Sequence, residues 1–239
     1  MVSHSRYLII LTLVYAVFWA VLAIDPVDRT TWLLENTLPV AFFIAMFATH
    51  RRLVFSRISY TLIFIFLCLH TVGAHYTHSN VPYDQWFSAF TGTPLNEIMG
   101  WERNHYDRLV HFSYGLLLAY PIREVFLRVA DVRGFWGYFL PLDVTMSTSM
   151  IYELVEWGAA VIFAGDAGMN FLGTQGDVWD AHRDMALATL GAVIAMAVTA
   201  TLNGYLQRDF ARDWARSITV KRSNPLGEDE LVRLWRRKK

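Results

Sequence analysis

Three stretches of the chain hold no Asp, Glu, Lys or Arg for about one membrane thickness: residues 7–24, 58–74 and 185–206. Each approaches the ~20 apolar residues that a helix needs to cross a bilayer. Three further runs are apolar but interrupted by ionisable residues: 32–49 with Glu35, 109–127 with His111, and 136–164 with Asp143, Glu153 and Glu156. The first run is longer than the ~7–15 residue core of a signal peptide and more runs follow it, so it reads as a retained helix. The pattern predicts an all-α, polytopic transmembrane helix bundle of about six spans over residues 1–206, followed by a basic tail, 207–239. It shows no internal repeat and no low-complexity tract.

Composition supports this and excludes other classes. Hydrophobic residues make up 54% of the 239, aromatics 15% and charged residues 18%, with a mean hydropathy of +0.29. Soluble domains average about 25% charged residues, so an ordinary cytosolic globule and a disordered chain are both disfavoured. The 21 basic and 21 acidic residues cancel, leaving no basic field for nucleic acid. Cys68 is the sole cysteine, so no intramolecular disulfide and no paired-cysteine metal knuckle can form.

Lys and Arg set the orientation. With the N-terminus inside, Arg6, the 51–57 and 123–133 arginines and the ten basic residues of the tail are cytoplasmic; only Arg29, Arg103, Arg108 and Arg183 lie outside. The positive-inside rule therefore predicts cytoplasmic termini. In the tail, Phe210, Trp214 and Trp235 among arginines read as interfacial aromatics, with anionic lipid headgroups as a second use. The outer segment 75–104 shows no obvious helix or strand period, and a loop of that length is usually functional or disordered. Its Trp86, Phe87, Phe90 and Trp101 favour packing at the membrane interface. The outer segment 165–179 is Gly-rich and acidic.

On this topology, ionisable residues of four spans meet at one depth, the outer leaflet. Span three ends at His70, His75 and His78; span four starts with His105, Asp107, Arg108 and His111; span five carries Glu153 and Glu156; span six starts with Asp177, Asp180, Arg183 and Asp184. Asp107, His111 and then Tyr114 share one face of span four, and Glu153 and Glu156 share one face of span five. A charged group in hydrocarbon costs roughly 2.5–3.5 kcal/mol even on the lenient insertion scale, so these residues must face one another, water or an ion. The cluster has more carboxylates than cations, which calls for raised pKa values, a metal or a cationic ligand. Mixed carboxylate and imidazole donors suit Zn, Mn or Fe better than Ca.

Other polar residues have simpler readings. Asp177, Asp180 and Arg183 suit capping and pairing at a helix start. His70 reads as a core histidine satisfied by a neighbouring helix, His78 as solvated, and Asp143 as an N-cap at the start of span five. There is no HExxH pair, no GxSxG elbow and no phosphate-binding glycine loop. Glu153-x-x-Glu156 lacks the histidine that a di-iron bundle would require.

The segments Asn104-His105-Tyr106-Asp107-Arg108-Leu109-Val110-His111-Phe112, Tyr152-Glu153-Leu154-Val155-Glu156-Trp157 and Gly173-Thr174-Gln175-Gly176-Asp177-Val178-Trp179-Asp180 resemble the YjdF family of bacterial inner-membrane proteins, over nearly the whole chain. The resemblance implies a multi-pass membrane protein. More distantly, the chain is similar to the VanZ-like membrane proteins, which show an Asp-Lys-x-x-His helix start, an acidic-plus-amide pair and a final run of Asp. Here Arg108 replaces the lysine and Glu156 stands in the place of the amide.

The leading expectation is a metal-dependent hydrolase or transferase acting on a lipid or lipid-linked envelope substrate, under a roof formed by the 75–104 loop. His111, Glu153, Asp180 and Asp184 would hold a divalent transition metal. Asp107 would orient a ligand, Glu156 would act as general base and Arg108 or Arg183 would hold an anionic headgroup. His75, His105, Tyr114, Asp177 and Arg183 complete the candidate set. One alternative is a non-catalytic protein whose cluster is structural and whose outer loop binds a partner. The other is a cation or proton transporter, although no polar stripe reaches the cytoplasmic half beyond Asp143.

Overall fold

The computed structural model describes residues 4–163, 172–207, 210–221 and 233–236. Every principal element within them is a helix: α1 (His4–Leu22), α2 (Arg29–Thr49), α3 (Arg57–Tyr76), α4 (Tyr83–Thr91), α5 (Leu95–Met99), α6 (Tyr106–Val129), α7 (Trp136–Phe163), α8 (Asp180–Leu206) and α9 (Phe210–Ser217). Helices α1, α2, α3 and α8 are each long and apolar enough to cross a membrane. Helices α6 and α7, at 24 and 28 residues, also have the length. Part of the segment 165–179 lies outside the described residues.

Local chemistry explains several boundaries. Asp28 caps α2 by accepting the Thr31 amide at 2.6 Å, and Ser56 caps α3 by accepting that of Ser59. Glu124 of α6 accepts from the Ser56 amide and the Ser59 hydroxyl, tying the start of α3 to the far end of α6. Helix α7 begins at Trp136, so Asp143 is an exposed residue inside it and not the N-cap expected from the sequence. The 75–104 segment contains α4 and α5, which its irregular sequence pattern does not reveal. Both end on glycines with left-handed backbone, Gly92 and Gly100.

Helix α6 is central, packed by α3, α7 and α8, with α1 and α2 against α3. The closest approach joins α6 and α8 through small residues. A Cβ on Gly115 would lie 1.8 Å from the Ala188 carbonyl oxygen, and one on Gly191 would lie 2.2 Å from that of Phe112. Ala119, Ala188 and Ala192 beside this crossing are fully buried. Backbones meet this closely only where side chains are absent or minimal. The tail does not simply trail away: Phe210 and Trp214 of α9 pack around Tyr138 of α7, and the Ser217 hydroxyl accepts the Phe135 amide.

Candidate functional site

The α6–α8 crossing positions the chemistry. His111 lies one helical turn before Gly115, and Asp184 one turn before Ala188, so the contact that brings the backbones together also brings these two side chains together. One ligand-type atom each of Asp107, His111 and Asp184 lies within 4.8 Å of the others, and all three residues are buried. His111 Nε2 is 3.6 Å from Asp107 Oδ1, and its Nδ1 is 3.7 Å from Glu153 Oε1 of α7. Both distances exceed hydrogen-bond range. Glu153 Oε1 and Asp184 Oδ1 are buried with no hydrogen-bond partner. Glu156 is buried one turn beyond Glu153.

Above this centre lies an arginine clasp. Arg103 Nη1 is 2.6 Å from Asp180 Oδ1, and Arg108 Nη2 is 2.6 Å from Asp177 Oδ2, with crossed pairs at 3.5 Å. Arg183 reaches the same Asp177 oxygen. Asp177 lies outside the spans; the Trp179 amide, then Arg183, Arg108 and Arg103, hold its carboxyl below the usual range. His105, beside Trp101 and 3.2 Å from Arg108, is pushed down by partial burial and by the neighbouring arginines. Arg103 also donates to the Thr174 carbonyl, and Asn104 exchanges hydrogen bonds with Gln175, so the end of the 75–104 segment is fastened to the start of α8.

The expected residues thus separate into groups. Asp107, His111, Glu153 and Asp184 converge, with Glu156 adjoining; Asp177, Asp180, Arg108, Arg183 and His105 form the clasp above. Tyr114 lies deeper, 2.5 Å from Thr148 Oγ1. His75 is elsewhere, with Nδ1 2.8 Å from the Leu22 carbonyl, joining α3 to the end of α1.

A second buried cluster was missed by the sequence reading. Glu35 of α2, His70 of α3 and His78, just after α3, each offer a ligand atom within 4.8 Å of the others. His78 is not solvated as expected: it is 5% exposed, and its Nδ1 lies 3.0 Å from Glu35 Oε1. The Tyr152 hydroxyl donates to Glu35 Oε2 at 3.2 Å while its ring stands edge-on to His111, so Tyr152 links the two clusters. The available signal was Glu35 itself, a lone carboxylate in an apolar run two turns into α2.

Both clusters border a cavity of about 330 Å³ between α2, α3, α6 and α7. His70, His78, Asp107 and His111 line it among apolar walls that include Ile63, Phe66 and Val110. Leu38, Phe42, Ile151 and Val155 also border it and are exposed on the outer surface of the bundle.

Fold and site together define a helical integral membrane protein with a buried carboxylate–histidine centre at one end of its bundle. The chain belongs to the family described as "Predicted membrane protein (DUF2238)", which it matches over residues 7–204. It is 40% identical over 167 residues to the inner membrane protein YjdF of Escherichia coli (strain K12), an alignment covering 70% of this chain and 76% of that protein. No solved structure matches the chain.

Proposed function

We propose that the protein crosses a bacterial inner membrane six times with both termini cytoplasmic, and that its outer-leaflet centre binds a divalent transition metal for hydrolysis or group transfer on a lipid or lipid-linked substrate. The observation that carries this reading is the convergence of Asp107, His111 and Asp184, with one buried oxygen of Asp184 and one of the neighbouring Glu153 left without a donor. An unpaired buried carboxylate is costly, and a metal ion is one partner that removes the cost. Asp107, His111, Glu153 and Asp184 then serve as ligands, while Asp180 is engaged by Arg103.

The cavity supports the substrate class. Its volume falls at the low end of the range for ligand pockets, about 300–1,000 Å³. Its apolar walls suit a hydrocarbon chain, and its polar border would present the attached head to the metal. A metal held there would supply Lewis-acid activation of water and of the scissile group, and Glu156 would take the attacking water's proton and return one to the leaving oxygen. Arg108, which directly follows Asp107 in sequence, would hold an anionic headgroup.

Elemental mass spectrometry of the detergent-purified protein tests the reading. About one equivalent of Zn, Mn or Fe lost in Asp184→Asn and in Glu153→Gln is expected. Metal content unchanged in both would overturn the ligand assignment, and absence of metal from protein never exposed to chelator would favour a structural network.

A further inference from the structure

The Glu35–His70–His78 cluster lies outside the His111 centre, and three features of the backbone converge on it. The first is Pro39, inside α2 four residues after Glu35. Proline has no N–H, so the Glu35 carbonyl loses its helical donor. His70 Nε2 supplies the replacement at 3.1 Å. The same nitrogen lies 3.8 Å from Glu35 Oε2, so His70 faces both the carbonyl and the carboxylate of that residue.

The second is the turn after α3. Thr77 and His78 both adopt left-handed backbone, with φ of 59° and 49°. Such a conformation is unfavourable for a β-branched residue, and strain of this kind gathers at functional sites. Here it folds the His78 ring back over α3 and onto Glu35. The third is Gly73, the only residue type that leaves room for that ring: a Cβ there would lie 2.1 Å from His78 Cδ2. The cluster is also accessible, because both His70 and His78 line the cavity.

We infer that Glu35, His70 and His78 form a second metal site, taking a zinc-class divalent ion whose remaining coordination position faces the cavity. Two imidazoles and one carboxylate are a donor set known from catalytic zinc sites, which keep a fourth position open. Metal ligands must be deprotonated, so the ion displaces the proton held between His78 Nδ1 and Glu35 Oε1. This site does not depend on the His111 centre.

The test is zinc stoichiometry on the full-length protein in detergent, stripped with chelator and then titrated with Zn²⁺, for wild type and two pairs of variants. Glu35→Gln and His78→Gln are each expected to lose one equivalent that Asp184→Asn and Glu153→Gln retain. Loss in the first pair alone leaves this site standing and removes the His111 centre. Loss in the second pair alone, loss of one shared equivalent in both pairs, or no binding at all overturns the second site. Should the variants not fold, zinc-edge X-ray absorption of the loaded wild type decides instead. Two imidazole nitrogens on at least one class of ion are expected, and no more than one per ion overturns the inference.

Discussion

Gly115 and Ala188 meet so closely that a single added methyl group on Gly115 would penetrate the Ala188 carbonyl oxygen, at 1.8 Å. That contact lies one turn below His111 and Asp184. The two helices cannot separate there without opening the centre above.

Gly115→Ala is therefore expected to destabilise the protein, by about 1–3 kcal/mol as overpacking usually does. Gly158→Ala on α7, where an added Cβ meets nothing within 4 Å, is expected to be neutral or stabilising by up to about 1 kcal/mol through helix propensity. Thermal unfolding in detergent, compared for the two variants, checks the contrast.

Much of the His111 centre is legible in the sequence, because it depends on helical spacing. Asp107 and His111 are four residues apart, Glu153 and Glu156 three apart, and alternating topology puts them at one end. The Glu35 cluster is not legible in that way. Its formation depends on a left-handed turn at Thr77 and His78, for which the sequence offers no glycine at the turn itself, and on a carbonyl freed by Pro39 being filled from another helix. Such relations between non-repeating backbone and distant side chains leave no period to read. The helices α4 and α5 are short and end on glycines, so they too carry little periodic signal.

The His78 seat predicts non-additivity. Gly73→Ala displaces the His78 ring from Glu35, and His78→Ala removes it. Each is expected to lower the unfolding midpoint, and the double substitution to lower it by clearly less than the sum, since the second change relieves the collision made by the first. An additive double variant would show that Gly73 acts on something else.

Asp177 gives the clasp a pH dependence. Its carboxyl lies below the ordinary range in the folded protein. It therefore stabilises the fold at pH values above its unfolded pKa, about 3.9, and that contribution is lost as the pH falls through the lower folded value. Unfolding midpoints of wild type and Asp177→Asn should differ near neutral pH, with wild type the more stable, and converge on acidification.

The carboxylates of the His111 centre predict a reversal with chelator. Without metal, Asp184→Asn removes one of several neighbouring carboxylates, relieving their mutual repulsion, and should raise the unfolding midpoint of the chelator-treated protein. With zinc present the same variant should gain less stability from the ion than wild type does, because a ligand is gone. Differential scanning fluorimetry with and without Zn²⁺ reads both signs.

The side chains of Leu38, Phe42, Ile151 and Val155 border the cavity and are also exposed on the outer face of the bundle. An occupant reaching the cavity past them is drawn from a two-dimensional solvent. Its supply is then counted as a mole fraction of the surrounding amphiphiles, so adding inert detergent at fixed total substrate dilutes it as surely as adding buffer dilutes a water-soluble ligand.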